Sequence, residues 1–126
     1  MRIAISVEIK DEMNSVVAQH FGRCPYFALI DVEGREVKAL KIVDNPYYGH
    51  HQPGQVPGFI KQLNADVMLS GGMGGRAIEF FNQMGIETAT GADGTVRTAL
   101  ENYLGGELTG AEPCIESVEH HKRDHH

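Results

Sequence analysis

The chain has 126 residues, of which 41% are hydrophobic and 22% charged, and its formal net charge is −6 with histidine counted as neutral. These values indicate one domain with one packed core. The acidic balance disfavours a nucleic-acid partner, because phosphate contacts need a basic face. No apolar run approaches the roughly 20 residues of a membrane helix, and the opening MRIAISVE lacks a secretory signal, so we expect a cytoplasmic protein.

The first half of the chain predicts strands. Residues 2–7 alternate between β-branched and small side chains, which is typical of a strand. Residues 26–32 form a second strand and residues 37–43 a third, joined through a turn at residues 33–34 into a hairpin. The stretch 44–58 is rich in proline and glycine, and it predicts a loop long enough to be functional.

The second half changes to a helical period. Apolar residues between positions 56 and 63 recur at i, i+3, i+4 and i+7, which predicts a helix. A short buried strand over residues 66–70 and a second helix over residues 77–84 follow, the helix ending at Gly85. Residues 87–90 form a brief strand and residues 96–104 a third helix. Strands that alternate with helices should be parallel, with right-handed crossovers.

This order predicts an α/β fold: a mixed five-stranded sheet, with three antiparallel N-terminal strands, and helices packed on it. It is the order of the ribonuclease H-like architecture, to which we assign the chain. A flavodoxin-like doubly wound sheet fits less well, because the second connection between strands is too short for a crossover helix. Residues 1–108 form the predicted domain, and residues 109–126 form a polar, histidine-rich tail. The residues expected to be buried are Ile3, Ile5, Val7, Ala28, Ile30, Phe59, Leu63, Val67, Leu69, Ile78, Phe81, Val96, Leu100 and Leu104.

A glycine-rich loop at Gly71, Gly72 and Gly74 lies between a predicted strand and a predicted helix. Exposed amides at a helix N-terminus attract anions. The spacing fits neither the dinucleotide fingerprint nor a P-loop, which needs a Lys-Ser/Thr pair after the glycines. The loop is therefore either an approach site for an anion or cluster, or a tight turn that needs positive φ and close packing.

The segment after the first strand places His20 and Cys24 four residues apart. An imidazole and a thiolate suit iron, zinc or copper(I). Arg23 can lower the pKa of the Cys24 thiol or pair with an anionic cluster. The alternative interpretation is a structural histidine and a buried cysteine. A nucleophile pair is less well supported, because no third orienting group is recognisable.

Two further groups of residues are candidate metal ligands. His50 and His51 lie in the long loop and can close over a site, although a solvated loop explains them equally well. In the tail, Cys114 is followed by four histidines within residues 120–126, and such tracts bind divalent metal ions. The favoured interpretation is a disordered tail that binds metal only loosely. Cys24 and Cys114 are far apart, and a structural disulfide between them is not expected in the cytosol.

Carboxylates are missing where a two-metal nuclease would need them. The first predicted strand and the strand over residues 67–70 carry no acid in their middles, since Asp66 precedes the latter. Phosphodiester chemistry with two metal ions is therefore not supported.

Five segments, in their order and spacing, resemble the dinitrogenase iron–molybdenum cofactor biosynthesis family. That family includes cofactor carriers of the NifX type, the C-terminal domain of NifB-type proteins and short stand-alone proteins, and the resemblance covers residues 1 to 108. The segments are IAIS at residues 3–6, HFGRCPYF at 20–27, N-P-x-x-x-H at 45–50, VMLSGGMGGRA at 67–77 and G-x-x-G-T-V at 91–96.

The resemblance implies a ribonuclease H-like fold without nuclease activity, and it implies binding of an iron–sulfur or molybdenum-containing cluster near the first loop and the glycine loop. At the matching positions of this sequence, the resemblance implies that the cluster site includes His20, Cys24, Gly72 and Gly74. A link to nitrogen fixation does not follow, because the stand-alone members are not tied to nitrogenase.

We therefore expect a carrier of a metal or metal–sulfur cluster, accessory to cofactor assembly, and not an enzyme. The alternative is a regulatory module with an empty site that docks a cluster-assembly protein such as an ATPase. A third, weaker hypothesis is an enzyme that acts on a small anion at the glycine loop with Cys24 as nucleophile. We expect a monomer or a weak dimer.

Overall fold

The computed structural model describes residues 1–49, 54–108 and 110. Short 3-10 turns cover Glu12–Asn14 and Phe21–Arg23. None of the helices within these ranges has the length and apolar character needed to cross a bilayer. The strands are β1 (Arg2–Ile9), β2 (Val16–Val17), β3 (Tyr26–Glu33), β4 (Glu36–Asp44), β5 (Val67–Leu69) and β6 (Glu87–Ala89), and the helices are α1 (Gln55–Gln62), α2 (Gly75–Gln83) and α3 (Val96–Leu104).

The strands form one mixed sheet in the order β4-β3-β1-β5-β6. β3 pairs antiparallel with both β1 and β4, whereas β5 pairs parallel with β1 and β6. The predicted α/β class is confirmed, as are the antiparallel strands of the first half and the parallel strands of the second. The assignment to the ribonuclease H-like architecture stays a prediction.

The predicted number of five strands is wrong, because the described residues form six. β5 pairs with β1 only as far as Ile5, which leaves the end of β1 open on that side. β2 fills this gap by pairing antiparallel with Val7 and Ile9. Two residues are too few to leave a period in the sequence, so only the open edge reveals this strand.

Helices cover both faces of the sheet. Ile3, Ile5 and Val7 point towards α3 and form one core with its buried residues. The opposite face packs Ala4 against α1 and α2, with Phe81 fully buried. Most of the residues expected in the core are buried. The exceptions pack against the core but keep part of their surface in solvent, and they are Phe59, Leu63, Ile78 and Leu104.

The parallel strands bring three loops to one edge of the sheet. β1, β5 and β6 are adjacent and run in the same direction, with Ile5 level with Leu69 and Leu69 level with Ala89. The segments that follow these strands therefore leave the sheet at the same end. Such an edge is the usual place for a ligand crevice in an α/β sheet.

Candidate functional site

The first loop and the glycine loop are held side by side by backbone hydrogen bonds. The N–H of Gly71 donates to the carbonyl of Ala18 at 3.1 Å, and the N–H of Phe21 donates to the carbonyl of Gly72 at 3.0 Å. The hydroxyl of Ser70 also donates to the Gly72 carbonyl, at 3.0 Å. These bonds place His20, which precedes Phe21, directly beside the glycine loop.

Gly71 is required by this close approach. A Cβ atom at this position would lie 2.8 Å from the carbonyl oxygen of Ala18 and 2.9 Å from the Cα of Gln19. Both are backbone atoms that no side-chain rotation can remove. The alternative interpretation of the loop as a turn with positive φ does not apply to Gly71, Gly72 or Gly74, none of which has a positive φ.

Gly74 serves a different purpose from Gly71. It is the N-cap residue of α2. Among the residues that the structure describes, no side-chain hydrogen bond caps this helix end, and a Cβ at Gly74 would meet nothing within 4 Å. The first N–H groups of a helix have no partner within the helix. The space around Gly74 therefore leaves the start of α2 accessible to an anion.

A third loop, residues 90–95, borders the same edge, although its sequence alone did not mark it as part of the site. The N–H of Gly91 donates to the carbonyl of Gly71 at 3.0 Å, and the N–H of Val17 donates to the carbonyl of Gly94 at 2.9 Å. Thr95 caps α3 by accepting from the N–H of Thr98. The sequence contains a signal for this loop, because a Gly-x-x-Gly-Thr spacing follows the last parallel strand.

The structure separates the two candidate ligands of the first loop. His20 is exposed at the start of the 3-10 turn, whereas Cys24, at its other end, is 0% exposed and packs in the core beside Phe21 and Phe27. Their backbones are close, but the two side chains do not share a surface in this arrangement.

Burial raises the pKa of the Cys24 thiol to about 11, although the neighbouring Ser6 hydroxyl and nearby backbone groups lower it. The expectation that Arg23 lowers this pKa is wrong, because Arg23 is exposed and removal of the thiol from water dominates. At neutral pH the thiol is protonated. Since the thiolate is both nucleophile and metal ligand, Cys24 is inert as long as it stays buried.

The remaining candidate ligands lie outside the described residues: His50, His51, Cys114 and the histidines of the tail. Within residues 1–49, 54–108 and 110, no three His, Cys, Asp or Glu side chains are grouped so that they could hold a metal ion. Arg23 and Arg76 are both exposed, and Arg76 lies in the first turn of α2.

Comparison with known proteins identifies the family. The family model described as "Dinitrogenase iron-molybdenum cofactor" matches residues 1–106. The chain belongs to this family. The resemblance carried by the sequence motifs is therefore confirmed, and the match ends close to Leu108, the last core residue in the described ranges.

Three proteins illustrate the similarity. The Methanocaldococcus jannaschii protein MJ0580 is 26% identical over 110 residues, covering 86% of this chain and 89% of that protein. The crystal structure of PH0822 superposes with a TM-score of 0.77 at 40% identity, covering 87% of this chain and 96% of the other. The apo form of the orange protein from Desulfovibrio gigas superposes with a TM-score of 0.76 at 26% identity, covering 89% and 93%.

Proposed function

We propose that this protein binds a metal–sulfur cluster, containing iron or molybdenum, at the edge where the first loop meets the glycine loop, and passes it to proteins of cofactor assembly. One observation carries the proposal: the bond between Phe21 and Gly72 joins the turn that follows the exposed His20 to the glycine loop, which leads into α2. Membership of a cofactor family supports it. So does the orange protein, whose structure was solved as an apo form.

The chemistry of this edge suits an anionic cluster. The imidazole of His20 supplies a ligand for iron or a related metal. The first N–H groups of α2, which have no partner within the helix, can stabilise negative charge on the cluster. Arg23 and Arg76, both exposed, can offset the remaining charge. The chain carries a net charge of −6, so such local cations matter for attracting an anion.

A carrier needs a site that releases its cargo as well as binds it. A site with few protein ligands meets this need, since each extra thiolate or imidazole slows release. We include His50 and His51 as further ligands from the loop after β4. Cys24 can join them only if its segment moves, because its thiol is buried here. Such a binding role requires no catalytic turnover.

Replacing His20 with alanine is expected to weaken retention of a reconstituted cluster by roughly tenfold or more, since even the loss of a residue that only supports a ligand costs that much. The protein is purified anaerobically and reconstituted with iron and sulfide. Its visible spectrum and its metal content after gel filtration are then measured. The matched control is Gln19→Ala, because Gln19 is the exposed neighbour without a metal-binding group.

The control variant should retain cluster as the wild type does. Wild-type protein that stays colourless and free of metal after reconstitution would refute the proposal. A cluster retained equally by the His20 variant would remove His20 from the site. A native assembly protein that binds His20→Ala and Gln19→Ala equally well, in the absence of metal, would favour the regulatory alternative.

Deleting residues 116–126 is expected to leave the melting temperature unchanged and to weaken binding of Ni²⁺ or Zn²⁺. The deletion removes the four histidines of the tail but keeps Leu108, which is buried in the core, and Gly110, whose carbonyl accepts from the N–H of Thr90. Thermal unfolding and a zinc titration measure the two effects. A clear fall in melting temperature would show that the tail packs on the domain.

A further inference from the structure

Asn45 is a buried polar residue directly after β4, and each of its four polar atoms forms a hydrogen bond. It is 5% exposed. Its side-chain Nδ2 donates to the carbonyl of Cys24 at 2.8 Å, and its backbone N–H donates to the carbonyl of Pro25 at 2.9 Å. Its Oδ1 accepts from the N–H of Tyr47 at 2.9 Å, and its carbonyl accepts from the N–H of Tyr48 at 3.2 Å.

These bonds join two loops that border the proposed site. Cys24 is the C-cap residue of the 3-10 turn that begins after His20, so the Nδ2 bond to its carbonyl holds one end of the turn. The other end is pinned to the glycine loop through Phe21 and Gly72. Between these two hydrogen-bonded ends, the bond within the turn, from the Arg23 N–H to the His20 carbonyl, is long, at 3.4 Å. The hydrogen bond within the turn is therefore weak, and the position of the turn depends mainly on the bonds at its two ends.

We infer that Asn45 is a positioning residue of the cluster site: it fixes the first loop so that His20 and Arg23 stay exposed beside the glycine loop while Cys24 stays in the core. This inference rests on the proposed function. The same side chain also orders the start of the loop after β4, through Tyr47. A buried amide with both ends paired is costly to replace, because each lost bond leaves a buried partner unsatisfied.

Two substitutions at Asn45 separate its two roles. Asn45→Asp keeps an oxygen that accepts from the Tyr47 N–H, but it sets a carboxylate against the Cys24 carbonyl in place of a donor. Asn45→Ala removes both bonds. The control is Tyr103→Phe, which removes a 2.7 Å bond to Glu87 between α3 and β6 and leaves the first loop untouched. All variants carry Cys114→Ala, so that Cys24 is the only thiol left to react with an alkylating reagent.

The first measurement is the rate at which iodoacetamide alkylates Cys24 in native full-length protein, at several low urea concentrations. We expect Asn45→Asp to raise this rate roughly ten- to hundredfold, as the loss of a buried hydrogen bond implies. The rate should hardly depend on low urea, because a local opening exposes little surface. Tyr103→Phe should label as the parent does. An unchanged rate in Asn45→Asp, or a rise that follows global unfolding, would overturn the inference.

The second measurement is cluster retention after reconstitution with iron and sulfide. We expect Asn45→Asp to retain roughly tenfold less cluster although its thiol is more accessible, because His20 is no longer held in place. Undiminished retention together with fast alkylation would also overturn the inference, since Cys24 would then serve as the ligand. Wild-type protein that takes up no cluster would refute the proposed function instead, and the alkylation rates would decide alone whether Asn45 fixes the first loop.

Discussion

Replacing Phe81 with alanine is expected to lower the free energy of unfolding by about 3–5 kcal/mol. Phe81 is 0% exposed on α2, and its ring meets that of Phe21 edge-on with the centroids 5.3 Å apart. The substitution loses the transfer free energy of the ring and leaves a cavity that the close-packed surroundings fill only in part. Urea unfolding followed by circular dichroism measures the change.

The adjacent Phe80 supplies a matched control for this substitution. It lies on the same helix but is only partly buried, so Phe80→Ala should cost about half as much or less. Leu100→Ala, on the opposite face of the sheet, should cost about 2–5 kcal/mol. Losses below about 1 kcal/mol for both Phe81 and Leu100 would show that the buried faces of these helices are assigned wrongly.

Replacing Gly71 with alanine is expected to cost about 2–4 kcal/mol and to abolish cluster retention. The added methyl group would press on the Ala18 carbonyl and the Gln19 Cα at less than 3 Å. The first loop and the glycine loop must then separate, which breaks the bond between Phe21 and Gly72. Unfolding in urea and reconstitution with iron and sulfide measure the two effects.

Gly74→Ala is the control for Gly71, because it makes the same chemical change in the same loop. A Cβ at Gly74 meets nothing within 4 Å, and the residue has a φ of −68°, which alanine adopts without strain. We expect a change of less than about 1 kcal/mol. Equal stability of Gly71→Ala and the wild type would show that the two loops are not held together as described.

The sequence predicted those parts of the fold that depend on a local period. Ile3, Ile5 and Val7 alternate with smaller residues because the two buried faces of β1 pack against different layers, with Ala4 on the opposite face. Phe81 belongs to a helical stripe because α2 buries one side. Strand β2 was not predicted, since two residues are too few to show a period. Its place depends on where β5 ends.

The sequence indicated some of the residues that the proposed site uses. The glycine loop and His20 were both identified from the sequence, and the backbone bonds bring them together. The contribution of the loop around Gly91 and Gly94 was missed, although its glycine spacing was visible. Asn45 was noticed only as part of a family motif. Its bond to the Cys24 carbonyl joins the residue after β4 to the turn before β3, which are 21 residues apart, and so leaves no local signal.

The sequence by itself determined the α/β class, the faces of the helices and the family, because periodicity and motif order are properties of the chain alone. Only the tertiary structure decided that His20 is exposed and Cys24 buried. The two residues belong to one short turn without a period, whose orientation is set at one end by Gly72 and at the other by Asn45. Whether the Cys24 thiol is exposed to water or buried in the core therefore depends on contacts from distant parts of the chain.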